Sequence, residues 1–282
     1  MKSQDIQVSV CIVTYNQERY IAECLDSLLS QKTNFKFEII IGEDCSTDST
    51  RGIVQKYVDQ YPELVIPLFH EKNVGAVENL KRTYLKAKGK YIAHMDGDDM
   101  ALPDKLQKQF NVLEKHSELS ICSHNVFSIT DNRKFQNDFW LHDEGVYDLK
   151  AYLREMPFFV HSSKFFVKKY LDNFLLEMND KTFDFEIHYE SIKKGDVFHL
   201  NERLGVYRQD VGVTRNKMLR YEIYQSKLNI YEKSFDFFSE KFFLKKIYIK
   251  ESLKLMKFLI GTLSFLKAIS VIRKINKILF YK

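Results

Sequence analysis

A rhythm in the first hundred residues constrains this chain most. Four short apolar runs, at 8–13, 37–41, 64–69 and 91–95, are separated by stretches with helical spacing. Each run is near-continuous rather than alternating, the pattern of a strand covered on both faces. After the first run, Tyr20, Ile21, Cys24, Leu25 and Leu28 recur at intervals that make one apolar helix face over 18–30. Further helices are expected over 50–60, where Ser46, Thr47, Asp48 and Ser49 offer N-caps, and over 76–88. Strict strand and helix alternation implies right-handed crossovers, and so an α/β fold with a mainly parallel central sheet flanked by helices. Such sheets bind ligands beyond the carboxyl ends of their strands, where the strand order reverses.

Three polar clusters fall at those ends: Thr14-Tyr15-Asn16, Glu43-Asp44 and Asp96-Gly97-Asp98-Asp99. Three carboxylates so close together repel one another unless a cation compensates. An oxygen-only set suits Mg or Mn, which leaves positions for waters and substrate phosphates. Taken alone, an Asp-x-Asp string is more readily a solvated acidic turn. Convergence of three such clusters on one sheet edge is what points to a site.

Beyond Pro103 a helix is expected to about Lys115, then a strand over 119–127 and an irregular stretch over 128–160. An apolar run follows at 164–167. The segment 183–189 leads a helix closing at Lys193-Lys194, with Gly195 as its C-cap. Strands are expected at 197–200 and 204–207, and helix from about Met218 onward, without internal repeats. The length of 282 residues suits one large domain with an appendage.

Cys11, Cys24, Cys45 and Cys122 lack metal-ligand spacing, as expected of reduced cytosolic thiols. The first residues carry no apolar signal segment. The longest apolar stretch, 258–272, is interrupted by Lys267 and falls short of the ~20 residues that span a bilayer. Charge is uneven. Residues 241–282 hold 11 Lys or Arg against Glu251 alone, and the chain's net +5 therefore leaves −5 for residues 1–240. A basic tail of this kind, with Phe, Leu, Ile and Tyr among its lysines, suits the surface of an anionic membrane, a helical appendage or an oligomer contact. Nucleic acid is not expected, because no recognition motif accompanies the charge.

Val8-Ser9-Val10-Cys11-Ile12-Val13-Thr14-Tyr15-Asn16, Glu43-Asp44-Cys45-Ser46-Thr47-Asp48-Ser49-Thr50, Gly89-Lys90-Tyr91-Ile92 with Met95-Asp96-Gly97-Asp98-Asp99, and Pro103-Asp104-Lys105-Leu106 together resemble glycosyltransferase family 2. The resemblance covers roughly residues 6–215. It implies a GT-A-like, nucleotide-diphospho-sugar transferase fold in a catalytic domain over 1–215. The nucleotide-binding half would be about 1–100, the acceptor half about 101–215, and the basic amphipathic tail 216–282. It implies that Thr14, Tyr15 and Asn16 line the nucleotide and that Asp44 pairs with the uracil edge. Asp98, with Asp96, would hold Mn or Mg on the diphosphate, Asp96 also reaching the ribose or the metal's water shell. Lys81 or Arg82 would meet the diphosphate, unless both are a solvated helix face. Glu18 is a nucleotide contact or a helix-start acid.

The same resemblance implies an inverting transfer whose base, by position, is Asp184, with Glu186 and Asp180 as rivals. Without it, Asp184 reads equally as a helix-start acid. His188, one turn on, reads as structural. His161-Ser162-Ser163 and Arg208 resemble positions around the acceptor and diphosphate. Trp140 is a sugar-stacking platform or core. The chain departs from the family in having Val13 where Pro is common, Glu43 where Asp is common, Cys45 where Gly or Asn is common, and Asp210 where His is common.

The expected activity is transfer of a hexose or N-acetylhexosamine from a UDP-sugar onto a glycan or lipid-linked glycan of a bacterial surface polysaccharide, such as lipopolysaccharide or capsule. The expected location is cytoplasmic, peripheral on the inner face of the plasma membrane. Competing readings are a nucleotidyltransferase, which lacks its Gly-rich loop after the first strand, and a non-catalytic membrane-associated scaffold.

Overall fold

Strand β1 (Val8–Thr14) lies at the centre of the first half of the sheet, with β2 (Phe37–Glu43) on one side, reached through helix α1 (Ile21–Leu29). Helix α2 (Thr50–Gln60) then leads to β3 (Val65–Phe69) beyond β2, still parallel. Helix α3 (Ala76–Lys86) returns the chain across the sheet to β4 (Tyr91–Asp96), which pairs parallel with β1 on its other side. Strand order thus reverses between β1 and β4. Val10, Ile12, Ile39, Ile41, Ala93 and Met95 of these strands pack with Ile21, Leu25 and Leu28 in one buried core. Each of these side chains other than Ala93 contributes about 1.5–3 kcal/mol on burial.

The second half comprises β5 (Met100–Ala101), α4 (Lys105–Lys115), β6 (Leu119–Ile129), β7 (Gly145–Tyr147), α5 (Leu149–Arg154), β8 (Phe165–Val167), α6 (Asp172–Glu177), α7 (Asp184–Ile192) and β9 (Asp196–Arg208). The nine-stranded sheet runs β3-β2-β1-β4-β8-β6-β9-β5, with β7 against β9. Pairing is parallel through β4 and between β6 and β9, and antiparallel at β8, β5 and β7.

The computed structural model describes residues 5–130, 134–135, 141–209, 217–239, 241–261 and 264–279. Trp140 and Asp210 lie outside these. The chain divides into two compact units, Met1–Gly212 and Val213–Lys282.

Three expectations differ from the structure. The two closing strands are one, β9, because Asn201 and Glu202 are exposed where the register against β6 jumps from His124↔Leu200 to Asn125↔Arg203, and pairing resumes beyond them. The stretch expected to be irregular contains the end of β6, β7 and α5, elements too short to show a period. Gly195 is not a left-handed cap, since Gly75 is the positive-φ glycine among the described residues. Its side chain is missing for space: a Cβ there would lie 2.5 Å from the Glu118 carbonyl oxygen.

The second unit consists of α8 (Lys217–Ser234), α9 (Phe242–Gly261) and α10 (Phe265–Leu279). Helix α9 buries Leu244, Tyr248, Leu255 and Leu259, and the Tyr248 hydroxyl donates to Glu232 of α8 at 2.7 Å. No helix among the described residues is long and apolar enough to cross a membrane.

Candidate functional site

The C-terminal end of β1 touches both neighbouring loops. Asp44 N–H donates to the Thr14 carbonyl at 3.1 Å, and Gly97 N–H donates to the Val13 carbonyl at 3.0 Å. Position 97 has no room for a side chain: a Cβ would lie 2.5 Å from Gln17 Oε1 and 2.9 Å from Thr14 Oγ1. Glycine therefore lets the acidic turn sit flush against β1. Thr14 is buried with its hydroxyl unpartnered, while Tyr15 is half-exposed.

Asn16 and Cys45 both take left-handed backbone, φ 52° and 57°. This explains why Gly or Asn suits position 45, since either tolerates that region more readily than Cys. The Asn16 side-chain oxygen accepts Thr47 N–H at 2.8 Å, and Asn16 N–H donates to Ser46 Oγ at 3.0 Å. Glu18 joins this loop too. Its carboxylate accepts Ser49 N–H, and Asp48 accepts the N–H groups of Glu18 and Thr50. The two acids brace the start of α2 reciprocally.

Asp44 is buried, and its two oxygens accept Val74 N–H at 2.7 Å and Gly75 N–H at 3.0 Å, so it anchors the loop before α3. On α3, Lys81 Nζ lies 3.4 Å from the Leu176 carbonyl, and Arg82 pairs with Glu78 one turn back. Arg82 is thus part of a solvated helix face. The structure brings Thr14, Tyr15, Asn16, Asp44 and the acidic turn to one edge, whereas the polar contact seen for Lys81 is to α6.

Within the acidic turn the carboxylates differ in environment. Asp96 Oδ1 meets His94 Nε2 at 3.2 Å, and Oδ2 accepts the Ser162 hydroxyl at 2.9 Å. Burial would raise this carboxyl, but the His94 ring and then the Ser162 hydroxyl hold it below its ordinary value. Burial, followed by the Asp96 charge, pushes Asp98 up to about 6. Asp99 is pushed well up, by burial and then by Asp98 and Asp96. One of its oxygens accepts Arg208 N–H at 2.9 Å, and the other has no hydrogen-bond partner among the described residues.

Arg208, at the end of β9, clamps the turn from behind. Its Nε donates to the Asp98 carbonyl at 3.1 Å, its terminal nitrogen pairs with Glu23 at 3.1 Å, and its guanidinium lies 4.5 Å from the Tyr20 ring centroid. The guanidinium expected at a phosphate is therefore engaged with protein groups. Buried Lys105 donates to the Ser162 carbonyl at 2.6 Å, and burial depresses it to about 8.

Asp184 opens α7, is exposed, and accepts Phe185 N–H at 2.7 Å. Glu186 instead turns back to accept Phe183 N–H at 3.3 Å, the work of an N3 acid. Near Asp184 and Asp96 lies Lys164, fully buried, its ammonium without a hydrogen-bond partner among the described residues and depressed to about 7 by burial against the opposing charges of Asp184 and Asp96. Both acids therefore lie within electrostatic reach of one lysine.

Sequence reasoning missed His94, Lys164 and the Arg208–Glu23 pair. A signal existed for the first: His94 and Asp96, two apart on a strand, share a face. Among the described residues no group of three or more His, Cys, Asp or Glu side chains could hold a metal ion. The donor set fits a hard divalent cation held by one or two carboxylates, the rest of its shell left to waters and phosphate oxygens.

The family model for Glycosyl transferase family 2 matches residues 9–175. Protein Rv1520 of Mycobacterium tuberculosis (strain ATCC 25618 / H37Rv), itself uncharacterized, is 32% identical over 207 residues, 72% of this chain and 58% of that protein. The chain thus spans little more than half of that relative's length. The crystal structure of S. aureus TarS 1-349 in complex with UDP superposes with a TM-score of 0.67 at 18% identity, over 87% of this chain and 70% of that one. The mannosyltransferase PcManGT from Pyrobaculum calidifontis, in complex with GDP-Man and Mn2+, superposes with a TM-score of 0.60 at 16% identity, over 96% of this chain and 75% of that one. At these identities the two structures establish a shared fold.

Proposed function

Because the chain belongs to glycosyl transferase family 2, we propose that it is a metal-dependent, inverting transferase. It moves a hexose or N-acetylhexosamine from a UDP-sugar to a glycan or lipid-linked glycan of a bacterial surface polysaccharide. The observation that carries this reading is the acidic turn docked on the β1 end where strand order reverses, with the Gly97 amide on Val13 and no space for a Cβ. The UDP complex of TarS supports the donor class, and the Mn2+ complex of PcManGT supports the cation.

In this reading Thr14, Tyr15 and Asn16 line the nucleotide, and Asp44 meets the uracil edge beside the amides of Val74 and Gly75 that it anchors. Asp98 holds Mn or Mg, and Asp96 adds a second oxygen while His94 and Ser162 fix its plane. When bound, the cation neutralises charge on the departing diphosphate. Lys81 exchanges the Leu176 carbonyl for the diphosphate. Asp184 takes the proton of the attacking hydroxyl. Its exposure supports that role, and the capping work of Glu186 argues against the nearest rival.

Catalysis is assigned to 1–215 and membrane attachment to 216–282. Helix α9 exposes Phe242, Leu253 and Ile260 among Lys246, Lys250, Lys254 and Lys257, while its acid Glu251 is buried and bonded to Lys254. An acid-free face of this kind suits the anionic inner surface of the plasma membrane.

The test is UDP release from a panel of UDP-sugars by the full chain, with a bacterial lipid extract as acceptor source, in Mn or in EDTA. Release from one UDP-sugar in Mn, lost in EDTA and in Asp184→Asn, is expected. Release that survives Asp184→Asn would remove Asp184 as the base.

A further inference from the structure

Two buried histidines, His94 and His188, and the partly buried His161 join the proposed base helix to the Asp96 carboxylate. His188 sits one turn after Asp184 on α7, and its Nε2 lies 3.0 Å from Nδ1 of His161. His161 opens the 3-10 turn His161–Ser163, and its ring centroid is 3.9 Å from that of His94. His94 Nε2 and the hydroxyl of Ser162, the residue after His161, together hold both oxygens of Asp96. From α7 to the acidic turn the path is thus two side-chain hydrogen bonds and one ring contact.

The protonation of this path is constrained. Burial drives the His161 and His188 imidazoles well toward their neutral forms, so each carries one N–H. The His161–His188 bond uses one N–H of the pair's two. The other is left over, on His161 Nε2 or on His188 Nδ1, and neither of those nitrogens has a partner among the described residues. A buried N–H without an acceptor costs stability, whereas two apolar rings of the same shape would leave nothing unpaired. The pair is therefore not what packing alone would select.

We infer that His161 and His188 are positioning residues: their hydrogen bond fixes α7, and with it Asp184, relative to the Asp96 carboxylate across which donor and acceptor meet. This rests on the functional reading above. The two rings hydrogen-bond to each other, and His161 meets the His94 ring, so in this inference their loss misplaces the base without altering nucleotide binding. A misplacement of an ångström at a reacting centre costs on the order of a hundredfold in rate.

The experiment compares the wild type with His161→Phe/His188→Phe and His188→Gln, full chain, in Mn. It measures melting temperature, UDP affinity, and UDP release from whichever UDP-sugar the panel identifies. The double variant is expected to melt no lower than wild type, to bind UDP equally and to release it roughly thirtyfold or more slowly in kcat. His188→Gln, whose amide places a hydrogen-bonding atom where Nε2 lies, is expected to recover most of that turnover. Unchanged turnover in the double variant, or a melting temperature that falls in proportion to the lost turnover, would overturn the inference. A wild type that binds UDP and turns over leaves the functional reading standing in either case. A wild type that does neither overturns both.

Discussion

Replacing the metal-side carboxylate should make the metal-free protein more stable while removing its function. Asp98 has an ordinary carboxyl value of 3.8 when unfolded, and burial followed by the Asp96 charge raises it to about 6 in the fold. Below 3.8 both states are protonated and the carboxyl contributes nothing. As pH rises through 6 the folded state must ionise it against that environment, so the destabilisation is complete above about pH 7. A rise from 3.8 to about 6 is worth ~3 kcal/mol at 1.36 kcal/mol per tenfold. Asp98 is half-buried and water screens it in part, so about 1–2 kcal/mol is the working figure.

Asp98→Asn keeps the shape and removes the charge. In EDTA at pH 7.5 it should melt higher than wild type by roughly 2–8 °C, and the difference should vanish near pH 4. Differential scanning calorimetry at both pH values, then with Mn added, reads this directly. Mn should stabilise wild type and leave the variant unmoved. A variant that melts lower than wild type at pH 7.5 in EDTA would refute the reasoning, because the carboxylate would then be compensated by the protein itself.

Three other outcomes are expected. Asp184→Asn should keep UDP affinity within twofold and slow transfer by about 10²–10⁴, measured as UDP release. Arg208→Met breaks the pair with Glu23 and frees the Asp98 carbonyl, and should cost about 2–4 kcal/mol in urea unfolding. Lys250→Ala should weaken co-sedimentation with phosphatidylglycerol vesicles roughly fivefold, at ~1 kcal/mol per lysine, and leave phosphatidylcholine binding unchanged.

The first half of the fold was legible because buried parallel strands are written as unbroken apolar runs, and the polar residues at their ends gather on one edge of the sheet. The Asp-x-Asp, Thr14 and Asp44 followed from that pattern together with the resemblance. Residues 128–160 were not legible, because a three-residue strand and a single helical turn carry no period. Nor was the continuity of β9, whose polar break at Asn201-Glu202 looks like a turn until β6 supplies the pairing. The histidines stayed hidden for another reason: positions 94, 161 and 188 meet only once β4, the 3-10 turn and α7 are packed. The pairing of Arg208 with Glu23 and the Asp98 carbonyl was hidden too, because these partners lie far from it in sequence.

The most direct test of the central claim is calorimetric titration of the full chain with UDP, in Mn and in EDTA, on wild type and Asp98→Asn. The acidic turn as a donor site predicts binding by wild type in Mn, little or none in EDTA, and none by the variant in either. UDP binding of equal strength with and without Mn, undiminished in Asp98→Asn, would show that the nucleotide does not depend on this turn.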